Sequence, residues 1–374
     1  MKINYKKLPR TGHSRLENQN TQSLRVEKHF NNPDVLVEGW YPLLPAKNLK
    51  IKEARSFLIL KQRVVVWRGE DGSLRAHDAF CPHLGADLGN GQVIENKIRC
   101  AFHHWTFSES GDLLQAGCAK RTATAIKLKK YPVEEYLGYV WVYAGESVQT
   151  PFIVPPGLEK EELHSLKLAE PTLFAHHHVM MTGGVDLQHF SSVHGMNIDF
   201  DYEFDKLGQH VFDWKVSGKI APSSLRGRLG RLLIGSHVTY QMRVGGGSMV
   251  SITYGENQKI FGRFQLPKLH LLWGCMPLTT GVSKVFVFSV VKKQKGLWGK
   301  IKMFASHVLT LALIVFLKDD DTKAFPNMRF QATNPTAEDR PLLQLIHAIN
   351  SMPESLWTKK KEIPFKNSTF NIGL

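Results

Sequence analysis

Two short pairs of metal-binding side chains stand out in the sequence. Cys81-Pro82-His83 forms the first pair and Cys100-Ala101-Phe102-His103 forms the second. Each pair supplies one thiol and one imidazole from a tight loop. An ordinary ferredoxin cluster takes four cysteines, whereas two neutral histidines in place of two thiolates remove negative charge from one iron and raise the potential. The residue types and spacing therefore predict an iron–sulfur cluster with mixed ligands.

A structural zinc site is the main alternative, and the spacing argues against it. Such sites usually read Cys-x-x-Cys, followed by a second pair of similar spacing, and neither pair does so. His104 competes with His103 as the second imidazole, but the C-x-x-H spacing favours His103. The loops are rich in residues that form turns and let backbone N–H groups point at sulfur, namely Pro82, Gly85, Gly89 and Gly91.

Residues 81–105 resemble the Rieske motif, in which C-x-H and C-x-x-H are separated by about sixteen residues and followed by an aromatic residue, here Trp105. The resemblance implies a Rieske [2Fe-2S] cluster. It implies as cluster ligands Cys81, His83, Cys100 and His103.

A second group of residues with metal-binding potential is Asp186, His189 and His194, spaced D-x2-H-x4-H. On a short or irregular helix, His189 and His194 can converge on one ion. A mononuclear ferrous site needs two imidazoles and a carboxylate on one face and leaves other positions open. Asp186, one turn earlier, is a hydrogen-bond partner for His189. By itself the motif also fits an ordinary histidine pair on an amphipathic segment.

The two groups together resemble the oxygenase component of Rieske non-haem iron oxygenases over roughly residues 35–350. The DLQHFSSVHG stretch is closest to the ketosteroid-hydroxylase and sterol-desaturase-like branches. The resemblance implies electron transfer from a Rieske cluster to mononuclear Fe(II) across a subunit boundary in a head-to-tail homotrimer. Asp186 would bridge His103 of one subunit to His189 of its neighbour, and Gly183 replaces an asparagine common in the family.

The third iron ligand implied by the resemblance is an acid well downstream. Three consecutive aspartates at 319–321 leave the register open. Asp321 fits the family pattern best and Asp320 is the alternative. The remaining acids suit a helix cap or a solvated turn.

The resemblance implies an enzyme that uses O2 to hydroxylate, desaturate or demethylate a hydrophobic, sterol-like small molecule. Gly245-Gly246-Gly247 lacks the strand–helix setting of a dinucleotide site, so a separate ferredoxin or NAD(P)H-dependent reductase is expected. The alternatives are a Rieske electron-transfer protein or a sterol-binding protein without oxygenase turnover.

The composition indicates a globular protein with a strongly basic surface. Among 374 residues, 43% are hydrophobic and the net charge is +15. The basic residues lack a nucleic-acid-binding motif, so nucleic acid is not an expected partner. The basic surface could instead contact an acidic electron carrier or a membrane surface, or it could simply face solvent. Cys118 and Cys275 are isolated thiols, which favours a reducing, cytoplasmic location.

The pattern of short apolar runs predicts an α+β, β-rich fold. We expect a basic arm over 1–32, a Rieske antiparallel β domain over 33–148, and a catalytic domain over 149–374. The resemblance implies a helix-grip, START-like antiparallel sheet with helices in the catalytic domain. Its concave side would carry Phe261, Phe264, Leu271 and Trp273. A strand predicted over 171–179 would place His176, His177 and His178 on alternating faces, so that all three could not bind one ion.

Residues 303–317 form the most apolar segment, and the resemblance makes it the helix that leads to the iron aspartate. It is shorter than the roughly 20 residues that cross a bilayer. Its approach contains Trp298 and several lysines, which predicts peripheral membrane contact. The prediction of membrane contact also includes three arginines earlier in the chain, namely Arg226, Arg228 and Arg231.

Overall fold

The computed structural model describes residues 28–358 except 118–125, 256–258, 261–262, 266, 325–327 and 329. Within these residues, small antiparallel sheets are followed by one large antiparallel sheet with helices. The predicted α+β, β-rich fold class is confirmed. Most of the basic arm expected over residues 1–32 lies outside the described residues.

The first part of the chain consists of short strands. Their bounds are β1 Trp40–Pro45, β2 Ala54–Ile59, β3 Gln62–Arg68, β4 Leu74–Asp78, β5 Gln92–Ile94, β6 Lys97–Arg99, β7 Trp105–Phe107, β8 Leu113–Ala116, β9 Lys130–Tyr131, β10 Val133–Tyr136 and β11 Tyr139–Tyr143. Their sheets have the orders β1-β11-β10, β2-β3-β4-β9 and β5-β6-β7-β8. The loops before β5 and between β6 and β7 carry the two cysteine–histidine pairs.

Strand β3 separates two hydrophobic cores, which explains its unbroken apolar run. Val64 and Val66 belong to a core shared with the large sheet, whereas Val65 and Trp67 belong to the core beneath the metal-binding loops. Alternate residues of a strand face opposite sides, so a strand buried on both faces has apolar residues at successive positions.

The second part of the chain forms the large sheet. The strand bounds are β12 Leu163–Ala169, β13 Thr172–Leu173, β14 Ile198–Lys206, β15 Val211–Ile220, β16 His237–Gly245, β17 Met249–Tyr254, β18 Lys259–Ile260, β19 Phe264–Gln265, β20 Leu269–Thr279 and β21 Val282–Lys292. The sheet order is β12-β21-β20-β17-β16-β15-β14, with β13 also on β21 and β18 and β19 as a separate pair. The turn after Gly245 joins β16 to β17 in an antiparallel hairpin, which is not the strand–helix setting of a dinucleotide site.

Four α-helices in the described residues accompany this sheet: α1 Leu187–Ser192, α2 Leu225–Ile234, α3 Gly296–Ala324 and α4 Arg340–Asn350. Short 3-10 helices cover Ala46–Asn48, Leu88–Asn90, His177–Met181 and Ala337–Asp339. The apolar side of α4 closes the core that holds Trp214 of β15. The indole N–H of Trp214 donates to the Gln344 side chain at 3.3 Å.

One core joins the two parts of the chain. Trp141 of β11 packs with Phe288 of β21 and Leu272 of β20. A Cβ atom on Gly274 would lie 2.5 Å from the Trp141 ring, so only glycine allows this close approach of indole and strand. The segment between β11 and β12 contains the predicted boundary at residue 149, and it has no helix or strand.

The three consecutive histidines differ from their prediction. Only Thr172–Leu173 is strand, and His177 and His178 lie in a 3-10 helix. The alternating-face expectation was wrong, because the helical turn brings ring nitrogens of His176, His177 and His178 within 4.8 Å of one another. Nδ1 of His176 accepts the His178 N–H, which caps this helix.

Hydrogen bonds argue against a shared metal at this histidine cluster. Nε2 of His176 donates to the Asn32 carbonyl at 3.1 Å, while Nδ1 accepts the His178 N–H. Nδ1 of His178 accepts the N–H of Asn31 at 3.0 Å. Both nitrogens of His176 and one of His178 are thus engaged as neutral tautomers.

The free energy of unfolding should fall as the pH falls from about 6.5 to about 4. Burial lowers the pKa of His77, His176 and His270 to about 4, whereas an unfolded histidine titrates near 6.5. In this window the unfolded chain binds more protons than the folded protein. Each such histidine therefore adds up to about 1.4 kcal/mol per pH unit to the decrease in the free energy of unfolding. Urea midpoints at several pH values measure the slope. His270→Gln should flatten it, and a pH-independent midpoint would contradict the prediction.

Candidate redox and metal sites

The thiols of Cys81 and Cys100 lie side by side in the core beneath the loops. Both cysteines are buried and free of disulfides. Burial raises the pKa of Cys81 to about 11, the backbone N–H of His83 acts in the opposite direction, and Cys100 adds a smaller increase. Burial alone favours the neutral thiol, whereas a coordinating metal would favour the thiolate, because a thiol that binds metal is deprotonated. The His83 N–H also meets the expectation that loop amides point at sulfur.

The imidazoles of His83 and His103 extend from the same two loops towards the surface. Their ring centroids are 4.6 Å apart, and the His83 ring stacks on Trp105 at 4.5 Å. Nδ1 of His83 is buried and has no hydrogen-bond partner within the described parts of the chain. Two buried thiols below two adjacent imidazoles fit the donor set of a Rieske cluster.

Local backbone geometry sets both loops. Gly85 has φ of 76°, and its N–H closes a turn on the Cys81 carbonyl at 2.9 Å. In the second loop the Cys100 N–H donates to the Trp105 carbonyl at 2.8 Å. His104 has φ of 58° and is exposed. The ring contact of His103 with His83 supports the choice of His103 over its neighbour.

Two apolar side chains next to the imidazoles escaped the sequence reasoning. Leu84 is 66% exposed and Phe102 is 61% exposed. Phe102 contacts the His103 ring at a centroid distance of 3.8 Å. Each is the residue beside a predicted histidine ligand, and that adjacency was the available signal. They give the surface around the two cysteine–histidine loops an apolar patch suited to contact with another protein.

His189 and His194 come together at α1, as predicted. His189 is 8% exposed and His194 is 2% exposed, and their ring centroids are 4.9 Å apart. Nδ1 of His189 donates to the backbone carbonyl of Asp186 in a short hydrogen bond. This bond fixes the tautomer and leaves Nε2 as the nitrogen with a free lone pair. A buried pair with a fixed tautomer fits a mononuclear iron.

Asp186 holds the start of α1. Its side chain accepts the backbone N–H of His189 at 3.3 Å and caps the helix. The Asp186 residue therefore positions His189 twice, through its carboxylate and through its carbonyl. The hydroxyl of Tyr240, which donates to the Gly184 carbonyl at 2.8 Å, ties the preceding turn to the sheet.

The acidic ligand predicted at Asp321, with Asp320 as the alternative, is not brought to the histidines by any described contact. Both residues lie near the end of α3, and their side chains fall outside the described residues. The same holds for the Phe261 and Phe264 side chains of the predicted cavity lining.

The other predicted lining residues, Leu271 and Trp273, lie on the face of β20 opposite the core shared with the first part of the chain. The indole N–H of Trp273 donates to the Met180 carbonyl at 3.2 Å. A cavity of about 520 Å³ lies beside α1, and its lining includes Ser191, Asn197, Ile220 and Arg231. No pattern in the sequence had indicated this cavity, because its walls come from separate elements.

Comparison with known proteins identifies the first part of the chain. The model of the Rieske [2Fe-2S] domain matches residues 39–132. Cholesterol 7-desaturase nvd of Hemicentrotus pulcherrimus is 27% identical over 198 residues, which are 51% of this chain and 42% of that protein. The oxygenase subunit of 3-chlorobenzoate-3,4-dioxygenase of Comamonas testosteroni is 27% identical over 193 residues, 49% of this chain and 44% of that protein. The chain thus covers less than half of these relatives.

Solved structures share the fold over most of the chain. Dicamba monooxygenase bound to dicamba superposes with a TM-score of 0.56 at 16% identity and covers 83% of this chain and 95% of its own. The oxygenase of the carbazole 1,9a-dioxygenase complex with ferredoxin gives 0.61 at 17% identity, over 88% and 92%.

The match to the Rieske domain confirms the predicted cluster type, whereas the mononuclear iron and the individual ligands remain predictions that the similarity to oxygenases supports. The buried thiols and surface imidazoles lie within the matched domain, and the paired histidines of α1 follow it in the chain. The protein carries a Rieske [2Fe-2S] domain over residues 39–132, is similar in sequence to a cholesterol desaturase and to a dioxygenase subunit over about half of its length, and shares the fold of Rieske oxygenase subunits.

Proposed function

We propose that the protein is the oxygenase component of a Rieske-type enzyme that hydroxylates, desaturates or demethylates a hydrophobic small molecule with O2. The observation that carries the proposal is the buried His189–His194 pair, with the His189 tautomer fixed by the Asp186 carbonyl, in the same chain as a Rieske domain. When bound, ferrous iron at open coordination positions supplies oxygen chemistry that protein side chains cannot.

The residues of this chain have distinct roles in the proposal. Cys81, His83, Cys100 and His103 hold the cluster that receives electrons. His189 would hold the iron through Nε2, because its Nδ1 donates to the Asp186 carbonyl, and His194 would supply the second imidazole. Asp186 positions His189 and, through its carboxylate, offers a hydrogen-bond acceptor to His103 of a neighbouring subunit in a homotrimer.

An acidic ferredoxin is the proposed electron donor, with an NAD(P)H-dependent reductase behind it. The relative in the carbazole 1,9a-dioxygenase complex binds a ferredoxin, and the net charge of +15 here favours an acidic partner. The exposed Leu84 and Phe102 beside the cluster histidines would form the apolar centre of the contact.

A sterol or another polycyclic compound is the proposed substrate class. Several relatives are named cholesterol 7-desaturase, and Leu271 and Trp273 supply apolar surface beside the core that contains Phe190 of α1.

Turnover with a purified electron-transfer chain tests the proposal. The protein, a ferredoxin, its reductase and NADPH are incubated with a panel of sterols under O2 and under N2, and products are analysed by mass spectrometry. The oxygenase predicts an O2-dependent product and about three irons per chain. An electron-transfer protein predicts about two irons and no product, and a sterol-binding protein predicts sterol uptake without turnover.

Asp321→Ala should lower the iron content from about three to about two per chain and abolish product, while the Rieske absorption stays unchanged. Removing a carboxylate ligand leaves two imidazoles that bind ferrous iron weakly. Asp320→Ala is the matched control on the next residue and should keep all the iron. The opposite result would assign the ligand to Asp320, and full iron in both variants would exclude both.

We also propose that the protein is cytoplasmic and meets a membrane from one side as a peripheral protein. The basic charge and the exposed apolar residues of α3 support this location.

A further inference from the structure

Helix α3 has its polar side towards the protein and its apolar side outwards. His307 and Thr310 are buried against the sheet and Ser306 is half-buried. Exposed outward residues are Leu297, Trp298, Ile301, Phe304, Val308, Leu309, Leu311, Val315 and Phe316. A helix on the surface of a globular protein normally has the reverse orientation. An apolar surface of this size marks a contact with another molecule or with lipid.

Hydrogen bonds hold the inward side of the helix on the domain. Nδ1 of His307 pairs with the Ser289 hydroxyl at 2.8 Å, and Nε2 pairs with Nδ1 of His164 at 3.0 Å. Gly296–Phe316 is long and apolar enough to cross a membrane, by length and composition only, and 17% of its most apolar stretch is buried. Crossing would break these polar contacts and strip the helix from β20 and β21. The helix can therefore meet lipid on one side only.

The outward side forms one continuous arc. With 3.6 residues per turn, the exposed apolar residues from Leu311 to Leu309 span about 160° of the helix circumference. The centre of this arc lies opposite Thr310 and Ser306, so it faces directly away from the domain. Trp298, 77% exposed, stands at the N-terminal end of the arc, and indole rings favour the boundary between lipid and water.

Lysines border the arc on both sides. On the same helical geometry, Lys300 lies about 20° beyond one edge and Lys302 about 20° beyond the other. Both are exposed, and neither forms an ion pair with any residue that the structure describes. Lys292 and Lys293, just before the helix, are paired with Glu161 and Glu162. Long lysine side chains beside an apolar face can reach the phosphates of a bilayer.

We propose that the outward arc of α3 is a docking surface for an anionic lipid bilayer, in which the helix lies in the plane of the membrane between the lipid and the large sheet. The basic borders select an anionic lipid surface over a second copy of this chain, because two copies docked arc to arc would bring their Lys300 and Lys302 side chains together. This inference specifies the lipid class and the contact residues of the membrane location proposed above.

Vesicle flotation tests the inference without any turnover. The holoprotein is mixed with vesicles of phosphatidylcholine alone or with about one quarter phosphatidylserine. We expect the wild type to float with the anionic vesicles, at least about tenfold more than with the neutral ones. Trp298→Gln with Phe304→Gln should lower binding to the anionic vesicles at least about tenfold. Lys300→Glu with Lys302→Glu should remove the preference for anionic lipid.

A matched control uses exposed apolar residues away from α3 and α2. Ile51→Gln with Leu207→Gln removes side chains that are 57% and 53% exposed, and this variant should float like the wild type. Equal loss in the control and α3 variants, or no flotation of the wild type, would overturn the inference. So would an α3 variant that dissociates an oligomer while the wild type ignores vesicles, because a second copy then covers the arc. Oxygenase failure appears separately, as absent product with intact flotation.

Discussion

We expect Cys100→Ser to abolish the Rieske absorption and the electron paramagnetic resonance of the reduced cluster, and to lower product formation below detection. Cys100 is 1% exposed and in contact with Cys81, so its sulfur faces the place where the cluster iron would lie. A serine hydroxyl stays protonated at neutral pH and is a poor ligand for cluster iron, whereas the thiol becomes a thiolate on coordination. Iron and sulfide analysis of the purified variant measures the loss directly.

Cys275→Ala provides the control for this result. Cys275 is also a buried free cysteine, and it lies in β20 of the large sheet. Its removal should leave cluster, iron content and turnover unchanged. A Cys100→Ser variant with an unchanged spectrum would show that the cluster lies elsewhere.

We expect Asp186→Asn to slow reoxidation of the reduced cluster by O2 and substrate about 10- to 100-fold. The amide oxygen can still accept the His189 N–H and cap α1. What is lost is the negative charge expected to link the cluster of one subunit to the iron of the next. Stopped-flow absorbance of the cluster after a single reduction gives the rate.

Asp186→Ala separates capping from charge. This variant loses both, so the free energy of unfolding should also fall, by the roughly 0.5–2 kcal/mol that a helix cap contributes. Iron content distinguishes a slow relay from an empty site: the Asn variant should retain about three irons per chain. Wild-type rates in the Asn variant would exclude a charged bridge at this position.

Local patterns predicted much of the β structure and both histidine-containing sites. The strands Tyr139–Tyr143 and Met249–Tyr254 are short apolar runs between turn residues, which is the pattern that predicted the β-rich fold. The two cysteine–histidine pairs and the histidines at α1 could be picked out as predicted ligands because the members of each group are close in sequence. Spacing within one loop or one helix is a local property that the sequence displays directly.

The failures came from contacts between distant residues. The histidine cluster forms a 3-10 helix that is held by hydrogen bonds with Asn31 and Asn32. These two residues lie 147 and 144 residues away from their partners, His178 and His176. The apolar run at 303–317 is part of a 29-residue helix, and its composition could not reveal which side the sheet would cover. The third iron ligand could not be chosen for the same reason, because the three adjacent aspartates differ only in the direction in which their side chains leave the helix.

The glycine contact beneath Trp141 bears on how electrons can travel. Because one core runs from β11 into β20 and β21, the cluster-bearing half cannot pivot against the large sheet without exposing tryptophan and phenylalanine to water. Electron transfer by a domain rotation that moves the cluster between the donor and the iron is therefore energetically costly in this molecule. In the proposed homotrimer, an electron donor would instead dock at the fixed cluster loops, and assembly of the subunits would set the distance between the cluster and the iron.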